Sequence, residues 1–198
     1  MPENFHILMV CTANLCRSPL MEHILRQSLI ASAADPGWTV GSAGTEATEG
    51  KPMHPNSQRI LSERGIQTGA WLSRQLCADF IRRADLILTA GAQHRGAVVA
   101  LFPAAVQRTF LLRPFSALSA LSKWPVSPGA AEPAHPARPT DLIMAAARAR
   151  SRLPPELRDT ELDDPIGRPL GRFRECADAI ASAIDPIVSQ LRLRAAAH

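Results

Sequence analysis

The chain has 198 residues, 46% of them hydrophobic, which is enough to bury one full core and makes a single domain over residues 1–198 the expected organisation. The formal net charge is +4. Of the 22 basic residues 20 are arginines, and they are scattered rather than gathered on one helix face. This distribution argues against a nucleic-acid-binding protein, because such proteins collect their positive charge in one patch.

The N-terminus and the cysteines predict a cytoplasmic protein. The first six residues hold no basic cluster, and the apolar run at 7–10 is too short for a signal peptide or a membrane span. The four cysteines, Cys11, Cys16, Cys77 and Cys176, have neither the density of a secreted disulfide scaffold nor the paired spacing of a zinc site. We therefore expect reduced thiols, no bound metal and no membrane association.

Apolar runs alternate with stretches of helical spacing over the first part of the chain. The predicted strands cover residues 5–10, 38–41, 85–89 and 109–112, and the predicted helices cover 19–30, 55–64, 79–84 and 93–101. A turn is predicted at 42–45, directly after the second strand. Strands that alternate with helices predict an α/β fold with a parallel sheet covered on both faces.

The second part of the chain is less regular. Residues 116–135 are rich in proline and poor in periodic signals, so we predict an insertion or long loop at about 116–158 that forms a lid, a partner surface or only a solvated loop. Within it, 140–150 has the pattern of a helix capped by Thr140, followed by a basic surface stretch. A final amphipathic helix is predicted over 173–193, where Pro186 could interrupt it.

The segment 11–18 holds the strongest functional signal. It lies between the first strand and a helix N-terminus, and the six-residue step from Cys11 to Arg17 fits a loop around one tetrahedral oxyanion. Backbone N–H groups in such a turn converge on the anion, and an arginine adds a bidentate fork. The same positive surroundings favour the nucleophilic thiolate of Cys11. The predicted phosphate-binding residues are Thr12, Ala13, Asn14, Leu15, Cys16, Arg17 and Ser18.

An alternative interpretation is that Cys11 is a buried packing residue and Arg17 an ordinary surface side chain. The wider motif favours function, since residues 10–22 read Val-Cys-Thr-Ala-Asn-Leu-Cys-Arg-Ser-Pro-Leu-Met-Glu. This segment resembles the signature of the low-molecular-weight protein tyrosine phosphatases. Shorter motifs at 42–45, 65–66, 73–76, 84–88 and 164–165 follow in the order of that family, so the resemblance covers nearly the whole chain outside 116–158.

The resemblance implies a flavodoxin-like three-layer sandwich with a four-stranded parallel sheet, in agreement with the predicted order of elements. It also implies a hydrolase of phosphoric monoesters that acts through a thiophosphate on Cys11 without a metal or cofactor. The substrate would be a phosphorylated protein or a small phosphate ester. The resemblance makes Asp164 the general acid that protonates the leaving oxygen. Asp163 is adjacent and could share that role, and outside the family context Asp-Asp-Pro is a common turn.

Three further residues are predicted to support the loop. Asn14 tolerates a positive φ and could brace the loop against Ser42. Ser18 is placed to hydrogen-bond the sulfur of Cys11 and stabilise it as a leaving group. Ordinary turn and cap chemistry also explains these residue types, and the two interpretations are compatible.

The remaining cysteines and histidines have several interpretations. Cys16 could form a reversible disulfide with Cys11 that protects it from over-oxidation, or it could be a packing residue. Packing is predicted for Cys77 and Cys176. His23 is predicted to be a surface or core residue rather than a catalytic one.

The sequence also departs from the family pattern. Ala13 replaces a glycine, and Trp71 stands where relatives often carry a histidine that braces the loop. Ile166 and Gly167 replace the aromatic pair that lines a phosphotyrosine pocket, and the chain has no tyrosine. Two alternatives therefore stay open: a thiol-coupled arsenate reductase that uses the same loop, and an inactive phosphate-binding module.

Overall fold

The architecture is a parallel sheet with helices on both faces. A computed structural model describes residues 5–32, 38–121 and 139–195. Strands β1 (His6–Cys11), β2 (Thr39–Gly44), β3 (Leu86–Thr89) and β4 (Thr109–Leu111) pair in the order β2-β1-β3-β4. This order is that of the flavodoxin-like fold, in which ligands bind beyond the carboxyl ends of the strands where the order reverses. The predicted fold class is confirmed.

Helices connect the strands and form the described regular structure after β4. They are α1 (Arg17–Ala31), α2 (Pro55–Glu63), α3 (Ala78–Arg83), α4 (Ala92–Leu101), α5 (Leu112–Leu121), α6 (Pro139–Ala149), α7 (Pro155–Arg158) and α8 (Leu170–Ala195). Short 3₁₀ turns lie at Pro103–Arg108 and Arg150–Arg152. No helix in the described residues is long and apolar enough to cross a membrane.

The alternation of side chains along β1 divides the core between the two faces of the sheet. Ile7 and Met9 belong to the larger cluster, which includes buried residues of α1, α2, α5, α6 and α8. Leu8 and Val10 belong to the smaller cluster, with residues of α3 and α4. Strands buried on both faces need continuous apolar sequence, and this explains the unbroken hydrophobic run of β1.

The segment predicted as a turn at 42–45 is largely strand. β2 continues to Gly44, which lies opposite Cys11 in the parallel register. The small residues Ser42, Ala43 and Gly44 have turn composition, but β1 supplies a full row of hydrogen-bonding partners for them. Tertiary pairing therefore outweighs local preference here.

The prediction of a loop at about 116–158 is wrong for residues 116–121, which are helical. The strand predicted over 109–112 is one residue too long. Helix α5 starts at Leu112 and buries Phe115 and Leu118 on one face. Its serines conceal the helical period in the sequence, yet Ser119 donates a hydrogen bond to the carbonyl of Phe115 at 2.9 Å within the helix. Residues 122–135 of the predicted loop lie outside the described residues.

The later helices agree with prediction in place but not in every detail. Helix α6 lies one residue earlier at each end than the predicted 140–150, so the cap predicted at Thr140 is wrong and Thr140 is a residue of the helix. The helix packs Leu142 and Ile143 into the core. Helix α8 begins three residues earlier than predicted and continues through Pro186. The proline removes one backbone donor, while the buried side chains of Ile184 and Ile187 hold the helix against the core on either side of it.

Candidate active site

The loop between β1 and α1 turns its carbonyl groups outward. The carbonyl of Cys11 accepts a hydrogen bond from the amide of Thr45, that of Thr12 from Glu46, both at 2.9 Å, and that of Leu15 from His54 at 3.0 Å. Within the described residues, the amides of 12–16 donate to no protein acceptor. Cys11 lies at the base of the loop and is only 3% exposed. The loop thus leaves these N–H groups available to a ligand, as expected of a turn that binds a tetrahedral anion.

Gly44 supports this loop from below. A Cβ atom at Gly44 would lie 2.3 Å from the carbonyl oxygen of Thr12 and 2.8 Å from the amide nitrogen of Asn14. Both neighbours are backbone atoms and cannot move aside without displacing the loop. The end of β2 therefore has to be glycine for the loop to rest against it.

Asn14 fixes the shape of the loop. Its φ is +53°, and it is the one non-glycine residue with a positive φ in the described part of the chain, so Ala13 avoids the strained region. Its Nδ2 donates to Ser18 Oγ at 2.8 Å and to Ser42 Oγ at 2.9 Å, and its Oδ1 accepts from the amide of Arg74 at 2.8 Å. Every polar atom of this buried side chain is therefore satisfied.

Ser18 connects Asn14 to Cys11. Its Oγ lies 2.9 Å from the Sγ of Cys11. Because the same oxygen already accepts from Asn14, its hydroxyl hydrogen is available to the sulfur. A hydrogen bond donated to the sulfur stabilises a thiolate more than a thiol.

A buried carboxylate completes the support on the β2 side. Ser42 donates to Glu22 Oε2 at 2.5 Å, and the indole N–H of Trp71 donates to the same oxygen at 3.1 Å. Glu22 Oε1 accepts from Arg26 at 2.6 Å. Trp71, which departs from the family pattern, thus still supplies a ring N–H to the network that holds Asn14.

Arg17 joins the loop to the segment that carries Asp164. The guanidinium is nearly buried and forms an ion pair with Asp164, while its nitrogens also donate to the carbonyl of Leu162 and to Thr12 Oγ1, both at 3.4 Å. Asp164 is 40% exposed, at the mouth of the site. Asp163 is exposed and takes no part in this ion pair. The structure therefore brings Cys11, Arg17 and Asp164 together across a sequence separation of about 150 residues.

The segment 161–164, here named the acid loop, is held in place by contacts of its first two residues, Glu161 and Leu162. The amide of Leu162 donates to the carbonyl of Ala90 at 2.9 Å, and Glu161 Oε1 accepts from the amide of Ala92 at 2.7 Å. The Leu162 side chain is buried in the core. The end of β3 therefore sets the position of Asp164 relative to Cys11 on β1.

Sequence reasoning missed His94. This residue lies in the first turn of α4, is buried, and places its Nε2 2.9 Å from Thr12 Oγ1. Either atom can be the donor in this hydrogen bond, depending on the tautomer of the ring, and burial favours the neutral form of His94. The available signal was its place just after β3, at the edge of the sheet where the site forms.

The pH dependence of stability should report the burial of His94. Desolvation, followed by the charge of Arg17, lowers the pKa of His94 from 6.5 to about 4. Between pH 6.5 and about 4 the unfolded chain protonates this histidine, whereas the native protein keeps it neutral. The contribution of His94 to the free energy of unfolding is therefore fully present above pH 6.5 and decreases as the pH falls towards 4. The expected loss is about 3 kcal/mol.

Urea unfolding of the wild type and His94→Gln at several pH values between 7 and 4 measures this contribution. Glutamine can still accept from Thr12 but does not titrate, so the variant should lose less stability on acidification than the wild type. Parallel losses in the two proteins would contradict the assignment.

The other cysteines differ in their surroundings. Burial, with a smaller contribution from Cys11, raises the pKa of the Cys16 thiol to about 12, and burial raises that of Cys176 to about 12. Cys77 is exposed at the start of α3, so the packing role predicted for it is wrong. His23 is buried, within the predicted alternatives.

A groove opens beside the loop. It has a volume of about 560 Å³ and is lined by Ala13 and Leu15 of the loop, by Glu46 and Lys51, and by Met53 and the other residues of the segment that leads into α2. On the acid side of the site, Ile166 is 50% exposed and Gly167 adopts a φ of +71°. The approach to the anion site thus combines apolar surface with one acidic and one basic side chain.

Comparison with known proteins places this geometry in a family. A model of low molecular weight phosphotyrosine protein phosphatases matches residues 6–132. The probable low molecular weight protein-tyrosine-phosphatase EpsP of Ralstonia solanacearum is 36% identical over 106 residues, which are 54% of this chain and 69% of that protein. A protein-arginine-phosphatase of Geobacillus stearothermophilus is 36% identical over 111 residues, 56% of this chain and 71% of that protein.

Solved structures extend the similarity beyond the region matched in sequence. The YwlE arginine phosphatase from Geobacillus stearothermophilus superimposes with a TM-score of 0.70 and 27% identity, over 98% of this chain and 97% of that one. These relatives are named as phosphatases, which favours a phosphatase over the arsenate reductase considered as an alternative. The chain belongs to the low molecular weight phosphotyrosine protein phosphatase family and is a cysteine-dependent phosphatase.

Proposed function

We propose that this enzyme hydrolyses phosphomonoesters in two steps, with Cys11 as nucleophile, Arg17 as the phosphate-binding side chain and Asp164 as general acid and base. The observation that carries the proposal is the position of Arg17, whose guanidinium contacts both Thr12 in the loop and Asp164 at the mouth of the site. A phosphoryl group held by Arg17 and the loop amides therefore has the sulfur on one side and the carboxyl group near the other.

In the first step the Cys11 thiolate attacks phosphorus in line with the leaving oxygen. The P–S bond forms, the P–O bond to the leaving group breaks, and protonated Asp164 gives its proton to the departing oxygen. Arg17 and the amides of 12–16 hold the equatorial oxygens during the transfer.

In the second step Asp164, now a carboxylate, removes a proton from water, which attacks the thiophosphate. The P–O bond to water forms, the P–S bond breaks, and the thiolate leaves. The hydroxyl of Ser18 stabilises the leaving sulfur, since it lies 2.9 Å from it with its proton directed by Asn14.

We propose phosphorylated proteins as substrates, bound with the peptide in the groove beside Leu15. The apolar wall at Leu15 and Met53 suits the ring of a phosphotyrosine, the residue for which several relatives are named. Phosphoarginine is the second candidate, because arginine phosphatases are among the relatives in both sequence and structure. Its guanidinium would require a carboxylate near the loop, and Glu46 lines the groove.

Rates on matched peptides that carry phosphotyrosine or phosphoarginine, together with para-nitrophenyl phosphate, test this proposal. We expect turnover of para-nitrophenyl phosphate and a higher kcat/KM on the phosphotyrosine peptide than on the phosphoarginine peptide. The reverse order would reassign the substrate. Phosphate binding without turnover of any of the three would support the inactive binding module instead, and thiol-dependent arsenate reduction faster than ester hydrolysis would support the reductase.

We also propose that the enzyme acts in the cytoplasm, where thiols stay reduced. Cys11, Cys16, Cys77 and Cys176 are all free, and the reaction needs the thiolate of Cys11. Cys16 is a candidate for a protective disulfide with Cys11. The raised pKa of Cys16 keeps it protonated, so such a disulfide would form slowly.

A further inference from the structure

A second pocket lies away from the active site, at the open edge of β2. It has a volume of about 490 Å³, and its walls include Arg26, Trp71, Leu72, Arg74, Phe80 and Arg83. None of the residues 11–18 or 161–168 lines it. This pocket, here named the edge pocket, is within the size range of sites for small organic ligands.

The edge pocket carries an excess of positive charge. Three guanidinium groups and a single carboxylate, Glu22, line it, which leaves two uncompensated positive charges. Glu22 is 4% exposed, and its oxygens already accept hydrogen bonds from Ser42, Trp71 and Arg26. The edge pocket therefore has donors to offer an anion and little free acceptor capacity for a cation.

Two of these guanidinium groups are held in place before any ligand arrives. Arg74 donates to the carbonyl of Ser42 from Nε at 3.0 Å and from Nη2 at 2.7 Å, and its guanidinium carbon lies 5.1 Å from the centre of the Phe80 ring. Arg26 donates to Glu22 and, at 2.7 Å, to the carbonyl of Val40. Preorganised donors lose little conformational entropy on binding.

The shape and chemistry of the walls select the class of ligand. A guanidinium presents a planar fork that matches a carboxylate, and the indole of Trp71, the Phe80 ring and the exposed Leu72 supply apolar surface for a flat ring. We propose that the edge pocket is a binding site for a small aromatic carboxylate, and that a ligand there changes the activity of the phosphate-binding loop.

The path to the loop is short. The backbone amide of Arg74 donates to Asn14 Oδ1 at 2.8 Å, while its side chain lines the edge pocket. On the other wall, Glu22 accepts from Ser42, which accepts from Asn14 Nδ2. Both walls thus reach the residue that fixes the loop, so a ligand that moves Arg74 or Glu22 alters the setting of Asn14, Ser18 and the Cys11 sulfur.

Calorimetric titration of the wild type with benzene-1,3-dicarboxylate, in the presence of saturating inorganic phosphate, tests the site. Phosphate occupies the active site, so binding that persists must occur elsewhere. We expect one saturable site with a Kd on the order of 0.1–1 mM. Absence of saturable binding, or its loss when phosphate is present, overturns the proposal.

Two neighbouring arginines of α3 give a matched pair of variants. Arg83→Ala should weaken binding about tenfold, because it removes one charge-assisted contact. Arg82→Ala should leave the Kd within about twofold, because Arg82 pairs with Asp79 at 2.6 Å and does not line the edge pocket. Equal effects of the two substitutions would show that the compound binds through general charge attraction.

Kinetics test the connection to the loop. At saturation the dicarboxylate should change kcat for para-nitrophenyl phosphate by about twofold or more, a modest coupling between sites. In Arg83→Ala this effect should require an about tenfold higher concentration of the compound, while kcat without the compound stays that of the wild type. A purely competitive pattern would place the compound in the phosphate-binding loop, and binding with no change in rate would refute the connection through Asn14.

Discussion

Cys11→Ser is expected to reduce kcat for para-nitrophenyl phosphate by roughly 10⁵-fold, the scale found when an enzyme loses its nucleophile. A serine hydroxyl keeps its proton at neutral pH, and Ser18 donates toward that atom rather than accepting from it. Cys11 is buried and the exchange of sulfur for oxygen is nearly isosteric, so the fold should be retained. Steady-state rates and a thermal unfolding scan measure the two properties separately.

Cys77→Ser is the matched control, because Cys77 is exposed and lies just before α3, outside the loop at 11–18. Its activity should equal that of the wild type. Cys11→Ser should still bind inorganic phosphate, since Arg17 and the amides of 12–16 remain. Rapid acid quenching of the wild type during turnover should in addition trap a phosphoryl group on Cys11. Residual turnover above about one per cent in Cys11→Ser would exclude a thiophosphate mechanism.

Asp164→Asn is expected to reduce kcat by roughly 10²- to 10⁴-fold, the usual contribution of a general acid. The loss should be larger for phenyl phosphate than for para-nitrophenyl phosphate, because nitrophenolate leaves more readily without a proton. A plot of log kcat against the pKa of the leaving phenol should therefore be steeper for the variant. An unchanged slope would mean that Asp164 does not protonate the leaving group.

Asp163→Asn separates the two adjacent carboxylates. Asp163 is exposed and outside the ion pair with Arg17, so its replacement should leave the rate within about twofold of the wild type. An equal loss in both variants would show that the acid role is shared. The ion pair itself should add little to stability, because Asp164 is 40% exposed and solvent screens the charges.

The part of the fold that could be predicted is the part where sequence pattern and tertiary structure agree. The apolar run of β1, the loop at 11–18 and helix α1 follow one another without a conflicting signal, and they contain both Cys11 and Arg17. Helix α5 was missed because its buried positions are interrupted by serine and proline. Its stability comes from packing against α8 and the sheet rather than from local preference.

The motif residues of the candidate site could be predicted from the sequence, but the contacts that hold them in place could not. Cys11, Arg17 and Asp164 carry recognisable neighbours in sequence, whereas His94 and Arg74 each reach residues 12–16 through one hydrogen bond. The contact of Arg74 uses its backbone amide, so its side chain gives no hint of the role. Such positions can be identified only from the structure, in which the sheet brings distant segments of the chain to one edge.

The acid loop is anchored to the sheet, whereas the turn that follows it is exposed. Leu162 joins the acid loop to the end of β3. The following turn projects into solvent and is closed by a 2.9 Å hydrogen bond from the amide of Arg168 to the carbonyl of Pro165. The amide of Ile166 donates to Asp164 Oδ1 at 3.2 Å and Gly167 adopts a φ of +71°, so the backbone of this turn also helps to position the carboxyl group. Only the exposed side chains of Ile166 and Arg168 are free to change without moving Asp164, so variation of the rim is confined to two side chains on a fixed backbone.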